Sequence, residues 1–168
     1  MDLHPIIVHF PIALLTLYGL AELLRFKALR DRVWWFYVKA ALVIPGALTA
    51  GAAYLTGNAA ADALAGDYSL APVIAAHENW AKATIIVFGM MAAFYVATFL
   101  LKEGWIKEGG YAGKLAGGAE RILAARLPVV FALLGLAAIT ITGALGGSIV
   151  HGPEADPVVR VVYRLLGL

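Results

Sequence analysis

The sequence contains no cysteine. Disulfides, iron–sulfur clusters held by thiolates and the covalent attachment of a c-type haem all require cysteine, so the sequence excludes them. Any metal centre in this chain must therefore have nitrogen or oxygen ligands. Histidine, which occurs four times, is the leading ligand candidate.

Charged residues are also scarce. They make up 14% of the 168 residues, whereas hydrophobic residues make up 62%. Soluble domains carry about a quarter charged residues, so this composition predicts a membrane protein in contact with a lipid bilayer. The formal net charge is +2. Because the basic residues are sorted by membrane side and form no single patch, no nucleic-acid partner is predicted.

Motifs for self-standing catalysis are missing as well. The sequence shows no nucleophile with a partner base, no phosphate-binding loop and no paired-carboxylate site, and the two serines, Ser69 and Ser148, lack a local partner pattern. We therefore expect an electron carrier or redox subunit rather than a self-standing enzyme.

What the sequence does contain is a series of four apolar runs, each long enough to cross a bilayer of about 30 Å as a helix. They predict an all-α integral membrane protein, an antiparallel four-helix transmembrane bundle within residues 1–153. The predicted spans are residues 5–24, 33–56, 72–101 and 127–150. The basic, glycine-rich segment before the fourth span is predicted to form a short interfacial helix, and residues 154–168 a surface tail on the outer side.

Orientation follows from the distribution of lysine and arginine between the connections. The first and third connections carry nine such residues: Arg25, Lys27, Arg30, Arg32, Lys102, Lys107, Lys114, Arg121 and Arg126. The second connection and the N-terminal segment before the first span carry none. This asymmetry predicts a multi-pass protein of the inner membrane with both termini on the outer, periplasmic side.

All four histidines fall at the predicted outer ends of the spans. His4 and His9 enter the first helix, His77 lies in the outermost turns of the third, and His151 leaves the fourth. Polar groups in an apolar setting are costly and generally have a partner or a function. The grouping of histidines is therefore the strongest functional signal in the sequence.

Three motifs resemble a known family. They are HPIIVHFPIALL (residues 4–15), AHENW around His77 and GALGGSIVHG (residues 143–152). Together they resemble a bacterial four-helix membrane-protein family catalogued as domain of unknown function 2231, over roughly residues 3–152. The family's histidine positions match His4, His9, His77 and His151. The resemblance implies a companion of respiratory and cytochrome-type proteins, and hence a redox role.

The preferred interpretation is a b-type haem with two axial imidazoles on facing helices. His9 and His77 lie deepest in their helices and are the predicted axial pair, while His4 and His151 are predicted to contact propionates or to serve a second site. Gly143 and Gly147 in the fourth helix leave room for a flat ligand. Such glycines also serve close packing between membrane helices, so this assignment stays open.

Two alternatives remain. The same histidines could bind zinc or copper, helped by Asp62, Asp67 or Glu78, although His4 and His9 point about 140° apart on a continuous helix. The chain could instead be a structural subunit of a larger respiratory complex without its own cofactor. A redox protein in this setting would exchange electrons with a periplasmic cytochrome, another respiratory subunit or a quinone.

Overall fold

The structure is a computed structural model that describes residues 4–24, 26–30, 32–64 and 66–168. The N-terminal residues 1–3 and Arg25, on which the orientation argument partly rests, lie outside these ranges. All regular structure in the described residues is helical: α1 (His4–Ile7), α2 (His9–Leu23), α3 (Lys27–Arg30), α4 (Val33–Ala63), α5 (Ala71–Lys102), α6 (Tyr111–Ala124), α7 (Leu127–His151) and α8 (Pro157–Leu166).

Four helical segments are long and apolar enough to cross a membrane. They are α1 and α2 taken together, α4, α5 and α7. Large apolar side chains such as Phe10, Leu48 and Ile86 are exposed on their outer faces. In a soluble domain such extensive apolar surface would be unusual, whereas lipid covers it in a membrane protein. The chain is therefore a multi-pass membrane protein that contacts the bilayer.

The four long helices form a closed ring. α2 packs against α4 and α7, and α5 packs against the same two helices. Consequently α2 and α5 lie diagonally across the bundle, and so do α4 and α7. This arrangement confirms the predicted all-α four-helix membrane bundle.

Aromatic side chains and glycines shape the centre of the bundle. Tyr18 meets Phe88 and Tyr95 edge to face, with ring centroids 6.0 and 5.8 Å apart. Gly135 lies against Phe88, where a Cβ atom would come within 2.5 Å of the ring, and Gly46 approaches Leu15 in a similar way. Small residues thus let the helices approach closely, as is usual in membrane bundles.

The helix boundaries differ from the predicted spans at two places. The first helix is interrupted at Val8, between α1 and α2, three residues before Pro11, whose ring removes a helical hydrogen bond. α4 continues to Ala63, although the predicted span ended at residue 56. Residues 57–63 are rich in alanine, the strongest helix former, so the helix continues beyond the end of the apolar run.

Besides the four-residue α3, two short helices complete the described fold. α6, in the segment predicted to form a short helix, packs mainly against α5. α8 begins at an N-cap, where the Asp156 carboxylate accepts hydrogen bonds from the backbone N–H groups of Val158 and Val159 at 2.7 and 3.0 Å. Val159 and Val162 are buried against α7. The C-terminal tail therefore folds onto the bundle as an ordered helix.

Candidate functional site

The antiparallel packing brings the histidine-bearing helix termini to one end of the bundle, here called the histidine end. His4 begins α1 and His9 begins α2, while His77 lies in the second turn of α5 and His151 is the last residue of α7. The four side chains differ in burial: His4 and His77 are partly buried, whereas His9 and His151 are exposed.

His77 is held between α5 and α7. Its Nδ1 atom lies 2.9 Å from the backbone carbonyl oxygen of Thr142. A carbonyl oxygen can only accept, so Nδ1 carries the hydrogen and, in the neutral ring, Nε2 carries the lone pair. The ring lies against Gly146, where a Cβ atom would come 3.1 Å from the His77 Cε1 atom. α7 thus supplies both the acceptor and the space that orient this imidazole.

His4 is held by α4 in a similar way. Its Nδ1 atom lies 3.1 Å from the hydroxyl oxygen of Thr56. That hydroxyl donates its own hydrogen to the carbonyl oxygens of Ala53 and Ala52, at 3.0 and 3.2 Å. It therefore accepts from His4, and the His4 lone pair is on Nε2. The His4 Cε1 atom lies 3.0 Å from where a Cβ atom on Gly57 would stand.

His4 and His77 stand at the same end of the bundle, on segments that are diagonally opposed. Histidines that ligate metals generally donate one ring N–H to a carbonyl, hydroxyl or carboxylate and bind the metal through the other nitrogen. Both rings make such a bond through Nδ1.

His9 has a different environment. Its side chain is exposed, and its Nδ1–H donates to the carbonyl oxygen of Pro5 within the same helical segment. The sequence argument placed His9 deep beside a buried iron together with His77. In the structure His77 lies between α5 and α7, whereas His9 stands on the outer surface at the start of α2. Their pairing stays a prediction.

Gly143 and Gly147, predicted to leave room for a flat ligand, line a groove of about 260 Å³ between α2 and α7. Across this groove are Ile12 and Thr16, and Asp156 lies at the α8 side. His77 does not line the groove; the glycine that faces His77 is Gly146.

Helical spacing places the other two histidines at the rim of the same groove. His9 precedes Ile12 by three residues on α2, and His151 follows Gly147 by four on α7. Residues three or four apart share a helix face. The histidines therefore divide into an inner pair, His4 and His77, and an outer pair, His9 and His151.

The carboxylates proposed as additional metal ligands have other partners or positions. Glu78 accepts hydrogen bonds from Lys82 at 2.7 Å and from the Tyr54 hydroxyl at 2.9 Å. Asp67 accepts from the hydroxyl and backbone N–H of Ser69, and these bonds hold the pKa of Asp67 below its usual value.

Asp62 lies in the last turn of α4. Within the described ranges, histidine and carboxylate side chains do not form a group of three or more that could hold a metal ion. The structure thus offers a pair of imidazoles, and no cluster of three or four ligands among the residues it describes.

Three residues that support the inner pair were not anticipated from the sequence: Thr56, Gly57 and Thr142. Their role depends on the rotational register of α4 and α7 against the histidine helices. A threonine and a glycine near a helix end are too common to signal this role in a sequence.

Comparison of the chain with protein-family models, with curated proteins and with solved structures finds no match. The resemblance to domain of unknown function 2231 therefore rests on the three sequence motifs alone. The function must be argued from the geometry of the histidine end.

Proposed function

We propose that the protein is a membrane-embedded electron carrier that holds a b-type haem at its histidine end, with His77 as one axial ligand. The observation that carries this proposal is the orientation of the inner pair: the Nδ1 atom of His4 is bonded to Thr56 of α4, and that of His77 to the Thr142 carbonyl of α7. When bound, the haem supplies a one-electron iron couple.

His4 is the second axial ligand in this proposal, in place of the His9 predicted from the sequence. His4 is partly buried and bonded to Thr56 of α4, whereas the exposed ring of His9 is bonded to its own helical segment. The chain's own contribution is to orient both rings through Thr56 and the Thr142 carbonyl. Apolar helices around the pair limit the access of water, which favours retention of a bound cofactor.

The residues of the inner pair suit axial ligation chemically, since imidazole is a common axial ligand of haem iron and both rings are oriented through their Nδ1 atoms. Gly57 and Gly146 bring the neighbouring helices to within contact of the rings, so their orientation is set by packing as well as by hydrogen bonds. His9 and His151, at the rim of the α2–α7 groove, are placed to meet polar edges of a ligand or the surface of a partner.

We also propose that the protein lies in the inner membrane with the histidine end facing the periplasm. The support is the concentration of lysine and arginine in the connections at the opposite end. In that orientation the partner for electron transfer is a periplasmic cytochrome or another respiratory subunit, or a quinone arriving through the bilayer.

A second candidate function is a zinc or copper site on the same inner pair. The presence of two partly buried imidazoles at one end of the bundle favours it, because imidazole nitrogens also suit these ions, with solvent completing the coordination. The third possibility, a structural subunit without a cofactor, follows if neither haem nor metal is retained.

The test is an oxidised-minus-reduced visible spectrum of the protein purified from its native membrane, with elemental analysis of the same sample. We expect a Soret band and one low-spin haem per chain. Stoichiometric zinc or copper without a Soret band would support the second candidate. A sample with neither would overturn both and leave the structural subunit.

A further inference from the structure

A cavity of about 400 Å³ lies at the other end of the bundle, far from the histidines. It is bounded by the last turn of α2, the first turns of α4, the last turns of α5 and the inner face of α6. This is where the basic connections meet the membrane, and it is called the basic end below. Nothing in the proposed haem function uses this cavity.

The floor of the cavity is a buried polar cluster. Glu22 is 1% exposed, and both of its carboxylate oxygens lie 3.1 Å from the Lys39 ammonium group. The Tyr95 hydroxyl donates to the same carboxylate at 2.6 Å. The negative charge of Glu22 is therefore matched by Lys39, and the floor is polar but has no net charge.

Thr98, in the wall of the cavity, has unused hydrogen-bonding capacity. Its side chain is 1% exposed, and its hydroxyl has no hydrogen-bond partner among the described residues. Threonine hydroxyls in helices commonly bond to a carbonyl one turn earlier, as Thr84 does here. A buried unpaired hydroxyl costs roughly 1–3 kcal/mol, so a ligand with an acceptor oxygen would gain from pairing with it.

The mouth of the cavity has an excess of positive charge. Lys102 is paired with Glu120 of α6 at 2.6 Å. Arg32 also lines the cavity, is exposed, and makes no ion pair with any residue that the structure describes. Three cations and two carboxylates line the cavity, and within the described part of the chain no carboxylate is paired with Arg32.

The remaining lining is apolar and lies where the membrane begins. Trp35, Phe36 and Leu123 contribute to it, from α4 and α6. Indole rings are enriched at the headgroup level of bilayers, and basic pockets between transmembrane helices bind anionic lipid headgroups. A ligand for this cavity therefore combines a negatively charged head with an apolar chain.

We propose that this cavity binds the phosphate headgroup of an anionic phospholipid from the leaflet at the basic end. Arg32 supplies the counter-charge to the phosphate, and the Thr98 hydroxyl donates to one of the lipid's oxygens. The acyl chains leave along the apolar wall into the bilayer. α6, which forms one side of the cavity, is thereby fastened to the bundle by the lipid.

The experiment measures the thermal unfolding midpoint of the full chain in a neutral detergent with added phosphatidylglycerol, phosphatidylcholine or sn-glycerol 3-phosphate. We expect phosphatidylglycerol to raise the midpoint and the other two to have little effect. An equal rise with sn-glycerol 3-phosphate would mean that the ligand is a free phosphate ester and would overturn the lipid assignment. An equal rise with phosphatidylcholine would show that the negative charge is irrelevant.

Variants at two residues that line the cavity test whether phosphatidylglycerol raises the unfolding midpoint by binding there. Arg32→Gln should lose most of the phosphatidylglycerol-dependent rise, whereas Arg126→Gln, an exposed arginine at the same end that does not line the cavity, should keep it. Thr98→Val should unfold at the same or a higher temperature without lipid, because an unpaired buried hydroxyl is removed, and its lipid-dependent rise should shrink.

If Arg32→Gln and Thr98→Val both retain the full rise, the lipid binds elsewhere and the proposal is wrong. A neutral quinone that raises the midpoint of the parent chain and of Arg32→Gln equally, with no effect of phosphatidylglycerol on either, would also contradict it. None of these readouts depends on a haem, so this proposal and the proposed function can fail independently.

Discussion

At the scale of single residues, the positions of the imidazole hydrogens decide what the histidine end can bind. His4, His9 and His77 are all bonded to an oxygen through Nδ1. Their burial differs, since His9 is exposed while His4 and His77 are partly enclosed by α4 and α7. The sequence identified the histidines as candidates but could not show which ring nitrogens are bonded or which side chains are partly buried.

Two glycines on α7 give a matched residue-scale test. Gly146→Ala should displace the His77 ring, because the new Cβ atom would lie 3.1 Å from Cε1, whereas a Cβ atom at Gly143 meets nothing within 4 Å. Gly143→Ala should therefore be neutral or stabilising, by up to about 1 kcal/mol from helix propensity. The free energy of unfolding and the visible spectrum of both variants check this.

We expect Gly146→Ala to change the spectrum of any bound cofactor and to gain less stability than Gly143→Ala. Equal stability and an unaltered spectrum in the two variants would show that Gly146 does not set the orientation of His77.

At the scale of elements, a buried ion pair joins three helices at the basic end. Glu22 of α2 binds Lys39 of α4, and Tyr95 of α5 donates to the same carboxylate. Because Lys39 lies near the start of the second predicted span, its position in the sequence indicates a structural lysine that reaches the headgroup region. The structure agrees that its role is structural, but its partner is the Glu22 carboxylate, which no local sequence pattern reveals.

Lys39→Met should lower the free energy of unfolding by about 3–5 kcal/mol, because it leaves the Glu22 carboxylate buried without its counter-charge. Lys82→Met is the matched control. Lys82 pairs with Glu78 one turn away on α5, and their side chains are 48% and 42% exposed, so a much smaller change is expected. Denaturant titration of both variants in the same detergent makes the comparison.

If Lys39→Met is too unstable to purify, the double variant Glu22→Gln/Lys39→Met should recover most of the loss, since it removes both charges. A Lys39→Met chain as stable as the parent would show that the ion pair contributes nothing to the packing of α2 against α4.

The ends of the helices are predicted less well by the apolar runs than the presence of the helices. Apolar runs located the four membrane helices, because a helix that crosses the hydrocarbon core of a bilayer must consist mainly of apolar residues. They did not locate the end of α4, because residues 57–63 continue as a helix through alanine propensity rather than apolarity. Nor do apolar runs locate the interruption at Val8, which follows from Pro11: the proline nitrogen has no hydrogen to donate to the Ile7 carbonyl, and this can be read from the sequence.

At the scale of the whole molecule, the absence of cysteine makes the proposed orientation directly testable. Single cysteines can be introduced without background at Tyr68, between α4 and α5, and at Trp105, between α5 and α6; both side chains are largely exposed. We expect a membrane-impermeant maleimide added to intact spheroplasts to label Tyr68→Cys, and to label Trp105→Cys only after the membrane is permeabilised.

The reverse pattern would place the histidine end in the cytoplasm and exclude a periplasmic redox partner. Labelling of both sites in intact spheroplasts would instead contradict the crossing of α5 through the membrane. The fold itself, a ring of four antiparallel helices with α2 and α5 diagonal, followed from the number and length of the apolar runs. The rotation of each helix about its own axis could not be predicted from these runs. That rotation decides which histidine side chains face the interior of the bundle.

The central claim is that His4 and His77 are the ligand pair, and the visible spectrum of four single variants tests it most directly. His4→Ala and His77→Ala should each lose the haem or convert it to a high-spin form, because removing one axial ligand opens a coordination position at the iron. His9→Ala and His151→Ala, whose side chains are exposed, should keep the low-spin spectrum of the parent chain. A low-spin spectrum retained in His4→Ala and lost in His9→Ala would contradict the account and restore the pair predicted from the sequence.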